Sequence, residues 1–407
     1  MKILQLTPRM PYPLTDGGNI GIYNITKHLA ALGHEITLVT FPLASLSDTE
    51  KAIKDISRFA DIRVVSRSLP SRWKVLARTV FRGAYPIERR MTREMFSLLR
   101  KIVGTKAYDI VHVDHAHMGR YGLWLQNEFQ LPAILREHNY ESLIYERFAA
   151  TEPNILKSLV ARVHGKRLKI EEAGFLSKFD AVAAISDEDA KLMRLIAPSS
   201  KLTVIPAGAD TYYFTPLNQK PDSNRLLFVG TLAWDPNFDS LRYFLREILP
   251  LILKARPNTV LDIVGSEGHR ILPYSKDFGS SVIVNGQVPD IRDYLARAAV
   301  VVVPLRIGGG MRVKLLEFFA AGKAIVSTSV GAEGNIAEDS KHLLLRDDSL
   351  AFAEAVLQLL ASPNDRKSLG ENARALACSE YSWEKISMRF VQLYQEVLSA
   401  SANPRMV

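Results

Sequence analysis

The segment VVVVPLRIGGGMRVKLLEFFAAGKAIVSTSVGAEG, residues 300–334, alternates apolar runs with glycine. Val300 to Val303 is a β-branched run closed by Pro304, the pattern of a buried strand end. A turn built on Gly308, Gly309 and Gly310 follows. Beyond it Val313, Leu316, Phe319 and Ala320 share one face at helical spacing, ending near Gly322. Lys323, Ala324, Ile325, Val326, Ser327 and Thr328 read as the next strand. A strand, a glycine turn, a helix and a strand in that order place free backbone N–H groups and the positive dipole end at the helix start. Arg312 and Lys314 sit in that first turn, where cations are unfavourable unless an anion is held there, and phosphate is the usual anion. Glu317, on the same helix, is suited to accept hydrogen bonds from ligand hydroxyls. An ordinary glycine turn with solvated charges is the competing reading.

Outward from this unit the same grammar recurs. Leu226 to Gly230 and Val260 to Gly265 are apolar runs closing on glycine, with a helix expected over roughly 239–255 between them. At the other end of the chain, residues 2–6 are an apolar strand ending at Thr7 and Pro8, and a loop carrying Gly17 and Gly18 follows. Ile22, Ile25, Leu29 and Leu32 then have helical spacing, Gly33 is the expected C-cap, and residues 36–40 form the next strand. Further strands are expected at 110–113, 133–135, 181–185 and 202–206. Residues 215–224, TPLNQKPDSN, read as a linker. The chain is therefore expected to be an α/β protein of two doubly wound parallel sheets. The first domain is expected over 1–215 and the second over 216–383, with a final helix over 384–400 opened by Ser382 as its cap. In such sheets ligands sit beyond the carboxyl ends of the strands, which is where Gly17, Gly18 and His138 fall.

Two acidic or histidine-rich groups suggest metals. His112, Asp114, His115 and His117 lie in one short segment, which rarely supplies a whole coordination shell. Asp187, Glu188 and Asp189 follow Ser186 and read as the first turn of a capped helix, where acidic residues complement the dipole. No metal and no cofactor are expected.

The 407 residues carry a net charge of +9, and a single cysteine, Cys378, excludes an internal disulfide. The excess is concentrated between Arg63 and Lys106, with twelve basic residues against Glu88 and Glu94. There Trp73, Val75, Leu76, Val80 and Phe81 interleave with Arg72, Lys74, Arg78 and Arg82, a pattern suited to an anionic membrane face, a solvated basic face or an anionic acceptor pocket. No nucleic-acid-binding motif is recognisable. No apolar run reaches the roughly 18–20 residues of a transmembrane helix, and the opening residues are too soon broken for a signal peptide, so a cytoplasmic protein is expected.

The segment around Gly308 to Glu317 resembles the nucleotide-sugar site of family 4 glycosyltransferases, which have the two-domain GT-B fold with a cleft between Rossmann-like halves. The resemblance covers essentially the whole chain. It implies that Glu317 holds the donor ribose and that Gly309, Gly310, Met311, Arg312 and Lys314 surround the donor diphosphate. Gly17 and Gly18 would approach the same phosphates, Gly230 would line the donor pocket, and Gln287 and Val288 would read the base through their backbone. His138 matches the histidine near the donor sugar's reacting carbon. It further implies that the last helix crosses back onto the first domain. The pattern departs from the family's common form at Gly309, where a second glutamate is usual, and at Thr231 and Asn237, where an arginine and a lysine are usual. The implied activity is retaining, metal-independent transfer of a sugar from a UDP- or GDP-linked donor to a hydroxyl acceptor. That acceptor would be a glycan or a lipid-linked molecule of cell-envelope or exopolysaccharide synthesis. A nucleotide-sugar epimerase or hydrolase on the same fold, and a non-catalytic nucleotide-sugar-binding protein, are the alternatives.

Overall fold

The computed structural model describes residues 1–14, 17–66, 83–151, 154–217, 219, 221–308 and 310–402. Gly309 and the basic, aromatic stretch from Arg72 to Arg82 lie outside the described residues. The chain forms two compact units, one made of residues 1–206 with 386–407 and the other of residues 207–385.

In the first unit seven parallel strands are arranged in the order β3-β2-β1-β4-β5-β6-β7. They are β1 (Lys2–Leu6), β2 (Glu35–Thr40), β3 (Asp61–Val64), β4 (Ile110–Asp114), β5 (Ala133–Arg136), β6 (Ala181–Ala184) and β7 (Leu202–Val204). The order reverses beside β1, which pairs with β2 on one side and β4 on the other. β4 and β5 are buried throughout, as strands covered on both faces must be. In the second unit six parallel strands follow the order β10-β9-β8-β11-β12-β13. They are β8 (Asp222–Val229), β9 (Val260–Val264), β10 (Val282–Gly286), β11 (Ala298–Val303), β12 (Ile325–Ser327) and β13 (Leu344–Leu345). This repeats the doubly wound plan, with the reversal between β8 and β11. Each unit has its own apolar core, one around Leu4, Val111 and Leu135, the other around Leu226, Val300 and Val326.

The helices that matter below are α1 (Gly17–Ala31), α2 (Glu141–Thr151), α3 (Ile155–Lys178), α4 (Asp187–Ile196), α5 (Val313–Ala320), α6 (Pro363–Glu380) and α7 (Trp383–Ala402). α1 ends as its sequence requires, with Gly33 at φ +84°. α4 is capped by Ser186, whose Oγ accepts the Asp189 N–H, so the acidic triplet is a helix start. α5 closes in a Schellman motif. Gly322 has φ +63°, its N–H reaches the Phe319 carbonyl, and the Lys323 N–H reaches Phe318.

Several expectations need correction. β3, β10 and β13 were not anticipated. All three are edge strands, and none carries the long apolar run that marks a central strand. The expected strand from Lys323 begins only at Ile325, and Lys323 is instead buried with its ammonium on the Ala298 carbonyl. The helix expected over 239–255 starts earlier, at Asp235, and widens to a π-turn over Phe244–Ile248. Pro250 explains that widening, because it has no N–H for the α-helical bond one turn back. The two units divide after Pro206, not within 215–224. Residues beyond Pro206 are tied to the second unit by Ala209 N–H on the Tyr381 carbonyl and by Arg374 on the Phe214 carbonyl. Trp383 lies against Gly208, where a Cβ would come within 2.7 Å of its ring. α7 begins in the second unit and from Ile386 onward belongs to the first.

Candidate functional site

In the second unit the glycine turn after β11 leads into α5, with Gly308 at φ +150° and Gly310 at φ +75°. A side chain on Gly308 would run into the Arg312 guanidinium. Arg312 is the N-cap residue of α5. Its side chain is 10% exposed and lies 3.8 Å from the Glu333 carboxylate and 5.8 Å from the Trp234 ring centroid. Lys314, in the first turn of the helix, is exposed. Met311 turns back, its Sδ 3.3 Å from the Ala207 N–H. Glu317 lies one turn further and is only 8% exposed. Burial pushes its carboxyl up to about 7 against the opposing pull of Lys314. Among the described residues, no side-chain or backbone hydrogen bond is made to this carboxylate. The sequence therefore places a buried acid about one turn beyond two cations and a helix start.

The other residues assigned to this half line the carboxyl ends of neighbouring strands. Gly230 follows β8, and a Cβ there would press on the Asn237 amide at 2.7 Å. Asn237 in turn donates to the Thr231 carbonyl, and Thr231 and Ser266 share a short hydroxyl contact. The two positions lacking the usual cations thus form a neutral hydrogen-bonded rim. Gln287 and Val288 follow β10, beyond Gly286 at φ +70°, with Gln287 exposed. Trp234 and Glu333, both against Arg312, were not anticipated, because their proximity depends on loops far apart in sequence.

In the first unit Gly17 and Gly18 are the first residues of α1, beyond β1. His138, beyond β5, is 7% exposed, and its Nε2 is 3.2 Å from both Asp114 Oδ1 and the Arg136 guanidinium. Arg136 also binds Asp114 Oδ1 at 3.0 Å, and Gln5 donates to Asp114 Oδ2 at 2.7 Å. Burial alone would raise the Asp114 carboxyl, but His112, His138 and Arg136 outweigh it and hold the group well below the usual carboxylate range. Burial and Arg136 lower His138 to about 4 in spite of Asp114, so at neutral pH its ring is uncharged. His112 hydrogen-bonds to the Tyr394 hydroxyl of α7. The signal for this network was present in the sequence as a histidine and an aspartate inside the otherwise apolar run IVHVD.

The histidine pair next to it gains a partner that the sequence did not reveal. Glu141, at the start of α2, lies 3.4 Å from His115 Nε2 and 3.8 Å from His117 Nε2. The three offer donor atoms within 4.8 Å of one another. The rings of His117, His115 and His138 form a stack with centroid steps of 4.2 and 5.0 Å. Burial, then the neighbouring rings and the cations Arg90 and Arg9, hold His115 well below the ordinary imidazole value.

Comparison with known proteins agrees with this geometry. Residues 15–213 match the model described as Glycosyltransferase Family 4, and residues 223–362 match that described as Glycosyl transferases group 1. An uncharacterized 44.6 kDa protein in the cps region of Klebsiella pneumoniae is 22% identical over 97% of this chain and 99% of its own length. The lipopolysaccharide 1,2-N-acetylglucosaminetransferase of Salmonella typhimurium is 27% identical, but over 47% of this chain and 56% of its own. Among solved structures, Anabaena HepE in complex with UDP and glucose superposes with a TM-score of 0.65 at 14% identity, covering 97% of this chain and all of that one. With both halves matched in order and each sheet doubly wound, the chain is a family 4-like glycosyltransferase of the GT-B fold.

Proposed function

We propose that this glycosyltransferase takes its sugar from a UDP- or GDP-linked donor and passes it, with retention and without a metal, to a hydroxyl acceptor in cell-envelope or exopolysaccharide synthesis. The observation that carries the donor reading is Glu317. A carboxylate so little exposed, with no hydrogen bond from the described protein groups, is costly unless a ligand supplies donors. A ribose diol supplies two. Arg312, Lys314 and the N–H groups at the start of α5 would meet the diphosphate and stabilise the charge that develops as it departs. Gly17 and Gly18 would add backbone N–H groups, and Gly309 and Gly310 would let the phosphates approach. His138, uncharged at neutral pH, suits a polar partner for the donor sugar better than a general acid. The Anabaena protein solved with UDP and the lipopolysaccharide enzyme of Salmonella support the choice of donor and acceptor class.

The test is thermal stabilisation of wild type and Glu317→Ala by UDP, GDP, ADP and TDP. A ligand at 100 times its dissociation constant adds about 2.7 kcal/mol, several degrees in the midpoint. One nucleotide should stabilise wild type and lose its effect on the variant. Folded wild-type protein that responds to none of them defeats the donor assignment. Donor consumption at full rate without any acceptor would favour hydrolysis over transfer.

A further inference from the structure

His115 and His117 flank Ala116 just beyond β4, and Glu141 opens α2. Their side chains are 14%, 12% and 12% exposed. Buried polar atoms in a folded protein are normally satisfied. Here His115 Nδ1 and both ring nitrogens of His117 are buried without a hydrogen-bond partner among the described residues. Burial also raises the Glu141 carboxyl, so its ionised form gains from a cation brought beside it. The backbone that carries the three side chains is fixed by two further buried carboxylates. Glu137 accepts the Ala116 N–H at 3.1 Å, between the two histidines, and Glu172 of α3 accepts the Glu141 N–H at 2.9 Å. Supporting groups of this kind orient metal ligands.

The spacing suits a small ion. A tetrahedral ion with bonds of about 2.0–2.1 Å holds its ligand atoms about 3.3 Å apart. Glu141 already lies 3.4 and 3.8 Å from the two Nε2 atoms, and all three donor atoms lie within 4.8 Å of one another. The rings of His115 and His117 are inclined by only 15°, whereas an ion lies in the plane of each imidazole that binds it, so one ring has to turn. His117 is the end member of the stack and gives up no hydrogen bond by turning, while His115 stays against His138. Arg9 and Arg90 act in two directions. They help burial to keep both imidazoles neutral, which is the form that ligates, and they lower the affinity for a dication. The Arg90 guanidinium is spent in part on the Pro8 and Pro86 carbonyls. Two imidazole nitrogens and a carboxylate oxygen are the donor set of zinc and its neighbours, not of magnesium or calcium.

We infer that His115, His117 and Glu141 form a binding site for a divalent transition metal of the zinc class. Three protein ligands leave a fourth position for water or a substrate oxygen. The site belongs to the first unit, whereas Arg312, Lys314 and Glu317 belong to the second, and the inference does not rest on the donor site. The experiment is titration of the EDTA-treated full chain, without nucleotide, with cobalt(II) and then zinc. Wild type should develop visible cobalt absorption that saturates at about one equivalent, and zinc, which binds more tightly and has no such band, should abolish it. Zinc should also raise the melting midpoint. Glu141→Gln and His117→Ala should each lose at least about tenfold in cobalt affinity. His269→Ala, at a histidine with a 71% exposed side chain in the second unit, should keep it. The metal-free melting midpoint of Glu141→Gln should not fall below that of wild type, so that lost binding is not lost folding. Folded wild type that binds neither ion saturably overturns the proposal. Equal binding by wild type and both site variants does so too, since it would mean an adventitious ion only.

Discussion

Glu317 and Asp114 are both buried carboxylates, and their surroundings push them in opposite directions. Glu317 has burial without compensating partners, so its carboxyl rises from 4.5 to about 7. A raised acid contributes stability below its unfolded value and loses it as pH climbs through the folded one. The cost is therefore absent below about pH 4.5, grows toward pH 7 and is constant above, at about 3 kcal/mol at most. Glu317→Gln should match wild type in melting midpoint near the low end and exceed it above neutrality. A difference that does not change with pH would remove the burial argument. Asp114 instead sits among His112, Arg136, His138 and Gln5, and Arg136 is only 2% exposed. Asp114→Ala leaves a buried guanidinium without its carboxylate, and urea unfolding should register a loss of about 3–5 kcal/mol. A loss under 1 kcal/mol would mean that solvent, not Asp114, satisfies that cation. The acid at Glu317 was legible from its spacing after Arg312 and Lys314. The network around Asp114 was legible only in part: His112 and Asp114 stand out within the apolar run of β4, but Gln5, Arg136 and His138 come from β1, β5 and the loop beyond.

At the scale of elements, α5 is held from behind by α6. Gly370 of α6 lies so close to the turn at Gly322 that a Cβ would collide with the Gly322 carbonyl. Arg374 of the same helix donates to the Ala320 carbonyl, an otherwise open acceptor at the end of α5. Gly370→Ala should cost about 1–3 kcal/mol by forcing the two elements apart. Because α5 carries Arg312 and Glu317, the same substitution should weaken nucleotide stabilisation as well. Full wild-type stability in Gly370→Ala would show that the contact relaxes without strain. Sequence periodicity located α5 itself, its start and its glycine end. It did not locate the edge strands β3, β10 and β13, whose few residues carry little apolar signal.

At the scale of the whole molecule, two sheets with separate cores imply two unfolding events. Calorimetry should resolve two transitions, with the nucleotide that stabilises wild type raising the one that belongs to residues 207–385. A single transition whose calorimetric and van't Hoff enthalpies agree would instead make the molecule one cooperative unit. The repeated plan was visible in the sequence, since apolar runs closing on glycine recur in both halves. The division point was not. Residues 207–214 read as the tail of the first half, yet the Ala209 N–H on the Tyr381 carbonyl and the Arg374 guanidinium on the Phe214 and Thr211 carbonyls bind them to the second.

The sequence by itself determined the parallel, doubly wound class, the glycine turn before α5 and the order Arg312, Lys314, Glu317. These follow from local rules: apolar runs for buried strands, glycine where the chain turns, helical spacing for a shared face. Tertiary structure alone decided that Glu141 closes on His115 and His117, that Thr231 and Asn237 make a neutral rim, and that α3 shows an apolar stripe to the outside. Proximity between distant segments and the choice of which helix face is covered are set by packing, and no local pattern encodes them. α3 makes the point most plainly: it is apolar on two sides, and only the fold selects which side is buried.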